Sequence, residues 1–391
     1  MNHIFLSLLK DARKQIKSDP VELDFIKLYR LSREHQVSPL IYNQIYFFSG
    51  FPEDLKIHWK KEAIQENVFQ TIKTERFLKL YQQFLDHDLK IIVVKGIVLR
   101  SLYPQPENRP SNDEDLYIEK KDLEKAKDIF LKEKFVLTGE SDDVTTFVDY
   151  QSGLSIELHS SLFSKDSKAY GKYQDAFEHA FEHVIVHDIQ GVPIYSLSYD
   201  LHLLFLMMHF VKHFLHGGVG IRQIIDIVMY SETYGDTIHW DRIYHTLEQL
   251  DVLVLIENVL ALAHQHLGFD FSKIKLPNDY DEKKCDYDDL LDDILDAGIF
   301  GKSSEERLHS STMTLNALEK GKSSVLKSIF PTFKEMKGKY SYLKHYPFLL
   351  PVAYVSRIIR YLKHNDTKKG QKTIEIGNQR IQLLKKYQVM K

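Results

Sequence analysis

The sequence predicts an α+β fold in which a small mixed β-sheet is set between large helical N- and C-terminal regions. Apolar residues recur at spacings of three and four through residues 1–87, β-branched and alternating runs broken by turns fill residues 88–198, and helical periodicity returns after Tyr199. These changes of period divide the chain into an N-terminal helical segment (1–87), an α/β domain (88–198), a larger helical region (199–364) and a basic C-terminal helix (365–391).

In the first segment Phe5, Leu8, Leu9, Ala12 and Ile16 share one helix face, and a long helix is expected over Glu53–His87 with a stripe of Trp59, Ala63, Val68, Ile72, Phe77, Leu80 and Phe84. Ile91–Val94 reads as a buried strand, Asp115–Ile118 as a short one, and Lys121–Lys134 as an amphipathic helix. Thr145–Tyr150 and Ser155–His159 are neighbouring strands joined by Gln151–Ser152–Gly153, and Val184–Val186 with Pro193–Tyr195 make a second hairpin through Gly191. Helices follow over 201–215, 221–234, 240–250, 252–267, 290–300, 316–328, 351–364 and 372–388, with a linker at 365–371.

Composition narrows the function classes. The 391 residues hold 43% hydrophobic residues, including 22 Tyr and 23 Phe, enough apolar surface to offset chain entropy and exclude global disorder. One cysteine, Cys285, allows no internal disulfide and no thiolate zinc site, and its acidic neighbours raise its pKa and make it a poor nucleophile. Charges every few residues near Met1 leave no secretory core, and no apolar run reaches the roughly 18–20 residues of a membrane span. A cytoplasmic chain without a membrane partner is expected. The net charge of −3 hides a split: residues 331–391 carry 14 Lys+Arg against 3 Asp+Glu, whereas 279–296 carry nine acidic residues beside Lys283 and Lys284. These read as two solvated faces that can pair with each other, in preference to a nucleic-acid-binding tail.

The informative segment is 95–118, KGIVLRSLYPQPENRPSNDEDLYI. Lys95 and Gly96 end a strand and open a helix, where backbone amides can meet an anion. Asp113 and Asp115, two apart on a strand, share a face while Glu114 points away. Two carboxylates on one face repel unless a cation lies between them, the arrangement that holds Mg²⁺ against a phosphate. Glu157 on a later strand offers a third acid, with His159 on its face and Ile156 and Leu158 on the buried side. A glycine-opened helix, an acid pair and a later single acid together suit phosphoryl or nucleotidyl transfer. HFVKH at 209–213 lacks the acid of a HExxH zinc motif, so His209, His213 and His216 are expected to face the cleft or form a satisfied helix surface. Arg222 and Asp226, four apart, are expected to form an intrahelical pair.

Val93–Val94–Lys95–Gly96, Arg109 with Asp113-x-Asp115–Leu116, and Ile156–Glu157–Leu158–His159 resemble a bacterial family of uncharacterised nucleotidyltransferases in the polymerase-β-like superfamily. The similarity extends to HFVKHF at 209–214, Ile224–Ile225–Asp226 and YPFLLP at 346–351, and so covers about residues 50–365. It implies a nucleotidyltransferase domain at 88–198 that moves an NMP from a nucleoside triphosphate to a hydroxyl of a small molecule, protein or RNA. Asp113, Asp115 and Glu157 would bind Mg²⁺ or Mn²⁺, with Glu157 also helping to deprotonate the attacking hydroxyl. Lys95, Gly96, Arg109 and His159 would serve the nucleotide, Arg109 against the alternative of an exposed turn residue and His159 by hydrogen-bonding a carboxylate. The superfamily's Gly-Ser is replaced here by Lys95–Gly96–Ile97, so Lys95 and the amides near Gly96 are expected to substitute for the serine. The competing reading is a catalytically silent binding or toxin-antitoxin-type regulatory protein on the same fold.

Overall fold

A computed structural model describes residues 1–298, 340–344, 346–365 and 368–390, together with Arg307, Ser310, Met313–Leu315, Leu318, Phe333 and Met336. Four helices come first: α1 (Asn2–Lys14), α2 (Phe25–Glu34), α3 (Ser38–Ile45) and the long α4 (Glu53–Asp86). The α/β part holds β1 (Ile92–Val93), α5 (Ile97–Arg100), β2 (Asp113–Tyr117), α6 (Leu123–Lys132), β3 (Val136–Glu140), β4 (Val144–Asp149), β5 (Leu154–His159), β6 (Val184–Ile189) and β7 (Val192–Leu197). Helices α7 (Tyr199–His216), α8 (Ile221–Tyr234), α9 (Trp240–Gln249), α10 (Leu253–Leu267) and α11 (Asp288–Ala297) follow, then α12 (Leu350–Asn365) and α13 (Lys368–Lys386).

The seven strands form one mixed sheet in the order β3-β4-β5-β2-β1-β7-β6. β2 runs parallel to β5 and antiparallel to β1, while β1 runs parallel to β7. The expected α+β class, with a mixed sheet between helical regions, is therefore the fold observed.

Alternation divides the sheet between two cores. Val93, Leu116, Ile156 and Leu158 pack with Phe77, Leu80, Tyr81 and Phe84 of α4 and Ile129 and Phe130 of α6. Ile92, Val94 and Tyr117 point the other way, into a second core shared by α1–α3 and α7–α11. Helices α1–α3 and α7–α11 are thus one packed body, pinned by Arg13, which donates to Leu267 O at 3.1 and 3.0 Å and pairs with Glu232 at 2.5 Å.

Helix α4 spans both cores, which explains where its expected stripe fails. Trp59 and Ala63 enter one core and Phe77, Leu80 and Phe84 the other, but Val68 and Ile72 lie 52% and 42% exposed. Between the cores the helix turns Gln70 inward instead, and its Oε1 accepts from the Ser111 amide at 2.8 Å. A single stripe cannot serve a helix that changes partners along its length.

Other differences are local. β3 was not expected, because Val136 and Leu137 on this edge strand are 46% and 45% exposed and show no alternation of burial. Helix α13 begins at Lys368, so the polar stretch expected as a linker supplies its first turn. The expected helix at 316–328 lies outside the described residues apart from Leu318. The oppositely charged faces do pair: Lys386 meets Asp286 at 2.9 Å and Asp289 at 2.5 Å, and Arg380 meets Asp293 at 2.9 Å. Among the described residues no helix is long and apolar enough to cross a membrane.

His35 makes folding acid-sensitive. Its Nε2 donates to Leu295 O at 3.2 Å and its Nδ1 accepts from the Ile221 amide at 3.2 Å, so both ring nitrogens are used by a neutral imidazole. Burial lowers its pKa from 6.5 to about 4. A folded-state pKa below the unfolded one gives stability that is present above the unfolded value and lost as pH falls through the folded one. Urea denaturation from about pH 7 down to about pH 4 should reveal a loss on the order of 3 kcal/mol from this residue. His35→Gln should flatten that slope, and an unchanged slope would show that His35 is not its source. His202, lowered to about 3 by burial, adds in the same sense.

Candidate active site

The parallel register of β2 and β5 places Asp115 directly across from Glu157 and Tyr117 across from His159. Side chains two apart on these strands share a face, so Asp113, Asp115, Glu157 and His159 all project from the sheet toward α7. Ligand atoms of Asp115, Glu157 and His159 lie within 4.8 Å of one another. Together with Asp113, Lys95 and His209 they line a cavity of about 250 Å³. A narrower recess beside it continues past Asp113 to Ser111, Arg222 and Gln223.

The charges are coupled. Lys95 reaches Asp115 Oδ2 at 2.8 Å and His209 Nε2 at 3.0 Å. His159 Nε2 lies 3.2 Å from Asp115 Oδ1 and 3.5 Å from Glu157 Oε2. Burial alone would raise the Asp115 pKa, but the Lys95 ammonium and the hydrogen bond from His159 hold it well below the usual carboxylate range. Asp113 goes the opposite way, raised by burial and by the neighbouring Asp115 charge. Burial works against charge on Lys95 and His159, yet the surrounding carboxylates raise both. Burial, and then Lys95, lower His209 well below its ordinary value, so it faces Lys95 as a neutral acceptor. His213 Nε2 stands 3.0 Å from His209 Nε2, which puts these two histidines at the cleft, while His216 contacts the Tyr170 ring.

Two positions expected to serve the nucleotide have partners of their own. At the start of α5 the Ile97 amide donates to Glu114 Oε2 at 2.7 Å, and Arg100 pairs with Glu114 Oε1 at 2.6 Å. Glu114 does point away from Asp113 and Asp115, and its carboxylate fills the place where an anion was expected. Gly96 permits this: its φ of 54° and ψ of −119° suit glycine alone, and a Cβ there would lie 1.6 Å from Glu114 Oε2. Gly96→Ala should therefore lower stability by about 3 kcal/mol or more, from backbone strain plus a displaced buried ion pair. A melting temperature equal to wild type would contradict this.

Arg109 is the second. It is buried, not an exposed turn residue, and its Nε and Nη2 donate to the two Asp226 oxygens at 2.7 and 2.8 Å. Tyr103 also donates to Asp226 at 2.8 Å. The expected Arg222–Asp226 pair is therefore not formed. Arg222 instead donates to Gln36 Oε1 at 2.6 Å and to the Pro110 carbonyl. Spacing along α8 would have allowed the i,i+4 pair, but Arg109 offers a bidentate fork in a fully desolvated setting.

A family model for uncharacterised nucleotidyltransferases matches residues 22–268. The chain belongs to that family. The matched span runs from just before α2 through the sheet to the end of α10, and it includes every site residue described above. No curated protein and no solved structure matches the chain.

Proposed function

We propose that the cleft transfers a nucleoside monophosphate from a nucleoside triphosphate to a hydroxyl acceptor. The observation that carries this reading is the projection of Asp113, Asp115 and Glu157 from two paired parallel strands into one cavity. Their oxygens suit a hard divalent ion, and the Asp113 pKa is raised by burial and then by the Asp115 charge, which Lys95 does not offset. Mg²⁺ or Mn²⁺ would be held by Asp113, Asp115 and Glu157. When bound, such an ion neutralises the triphosphate and its leaving group.

The remaining work belongs to the chain. The acceptor oxygen forms a bond to the α-phosphorus, and the bond from that phosphorus to the β-bridging oxygen breaks. That bridging oxygen leaves with the electron pair as pyrophosphate, and the hydroxyl proton passes to Glu157. Lys95 provides positive charge at the phosphates, and His159 orients Asp115 through its hydrogen bond. Gly96 acts by admitting Glu114, and Arg109 by holding the loop before β2 against α8.

One observation favours the catalytically silent alternative: Glu114 sits on the amide where a phosphate was expected. Thermal melting with each of the four nucleoside triphosphates plus Mg²⁺ separates the two readings. Stabilisation by at least one nucleotide, lost in Asp113→Asn, is expected for the enzyme, and no shift with any of them would overturn it.

A further inference from the structure

The cations around the cleft are nearly all accounted for. Lys95 lies on Asp115, Arg109 on Asp226 and Arg100 on Glu114, while Arg222 donates to Gln36 and the Pro110 carbonyl. Lys212 on α7 is the exception among those withdrawn from solvent. Among the described residues no carboxylate or hydrogen-bond acceptor meets its ammonium. Its neighbours are the rings of Phe163 and Tyr170, 6.0 and 5.6 Å from Nζ, at the outer edge of cation–π range and weaker than a counter-ion. Its side chain is largely withdrawn from water, and that burial, with Lys95 nearby, lowers its pKa although the Asp115 and Glu157 carboxylates across the cavity act the other way. A desolvated cation without an anion in contact costs free energy that an arriving anion would recover.

Its position shows which anion. Lys212 lines both the cavity of about 250 Å³ that holds Asp113, Asp115 and Glu157 and an adjoining one of about 350 Å³. We infer that Lys212 binds the β- and γ-phosphates of the nucleoside triphosphate, and hence the pyrophosphate formed when the bond to the α-phosphorus breaks. This inference rests on the proposed nucleotidyl transfer. An ammonium against two phosphate groups makes charge-assisted hydrogen bonds, and their loss should fall on ligands that carry those groups.

The test is calorimetric titration of the full chain with Mg²⁺ and, in turn, inorganic pyrophosphate, the best-binding nucleoside triphosphate and its monophosphate. Lys212→Met should weaken pyrophosphate and triphosphate binding about tenfold or more while leaving the monophosphate unchanged, and Lys212→Arg should stay within about threefold of wild type. Circular dichroism melting confirms that both variants fold. Wild-type affinity for pyrophosphate in Lys212→Met would overturn the inference while leaving nucleotidyl transfer standing, as would an equal loss for the monophosphate. Failure of the wild-type chain to bind any of these ligands would overturn both.

Discussion

Asp113→Asn should abolish nucleotidyl transfer and at the same time leave the protein as stable as wild type or more so at pH 7. The two halves share one cause. Asp113 is largely buried, and its pKa is raised by that burial and by Asp115. A carboxyl group whose folded-state pKa is raised contributes stability below its unfolded pKa and loses it as pH rises through the folded value. Negative charge on Asp113 is therefore a local liability, and in the proposed mechanism that charge serves to hold the ion. The amide removes the repulsion and, with it, an oxygen ligand for the proposed ion, which would be worth several kcal/mol in the transition state, so turnover should fall by about a hundredfold or more. Glu157→Gln should be equally inactive and near wild type in stability, since its side chain is 38% exposed. Reduced stability in Asp113→Asn with undiminished turnover would mean that the acid pair is structural.

Breaking the Arg109–Asp226 pair should give the largest loss of stability. Both side chains are buried, at 3% and 5% exposed, and the bond joins the loop preceding β2 to α8, which lie 117 residues apart. Asp226→Ala strands a guanidinium that cannot shed its charge, at a cost of about 3–5 kcal/mol. The double change Arg109→Met, Asp226→Leu should recover much of that, because apolar replacements of a buried ion pair are often neutral or better. Urea denaturation of both single variants and the double variant measures the coupling. If Arg109→Met left stability intact while weakening triphosphate binding, Arg109 would be a phosphate contact after all.

What was legible in the sequence was whatever local periodicity controls. DEDLY and IELH placed their acids correctly because strand side chains alternate, and α8 was expected at its observed bounds because its apolar positions repeat at helical spacing. What was hidden depends on contacts between distant segments. Nothing near Arg109 announces Asp226, and nothing in the HFVKHF run says that its lysine faces the cleft while Phe210 and Phe214 enter the core. Strand alternation predicts that Glu114 faces away from the acid pair, as it does, but its reach to the α5 amide requires the packing of that short helix on β2. Val68 and Ile72 misled because period alone cannot tell one core from two.

The central claim is that Asp113, Asp115 and Glu157 together move a nucleotide onto a hydroxyl. Incubation of the protein with cell lysate, Mg²⁺ and each α-phosphate-labelled nucleoside triphosphate tests it most directly, with Glu157→Gln in parallel. The predicted result is label transferred to a protein, RNA or small-molecule acceptor with release of pyrophosphate, by the wild-type chain only. Full transfer by Glu157→Gln, or no transfer from any of the four nucleotides by the wild-type chain, would contradict it.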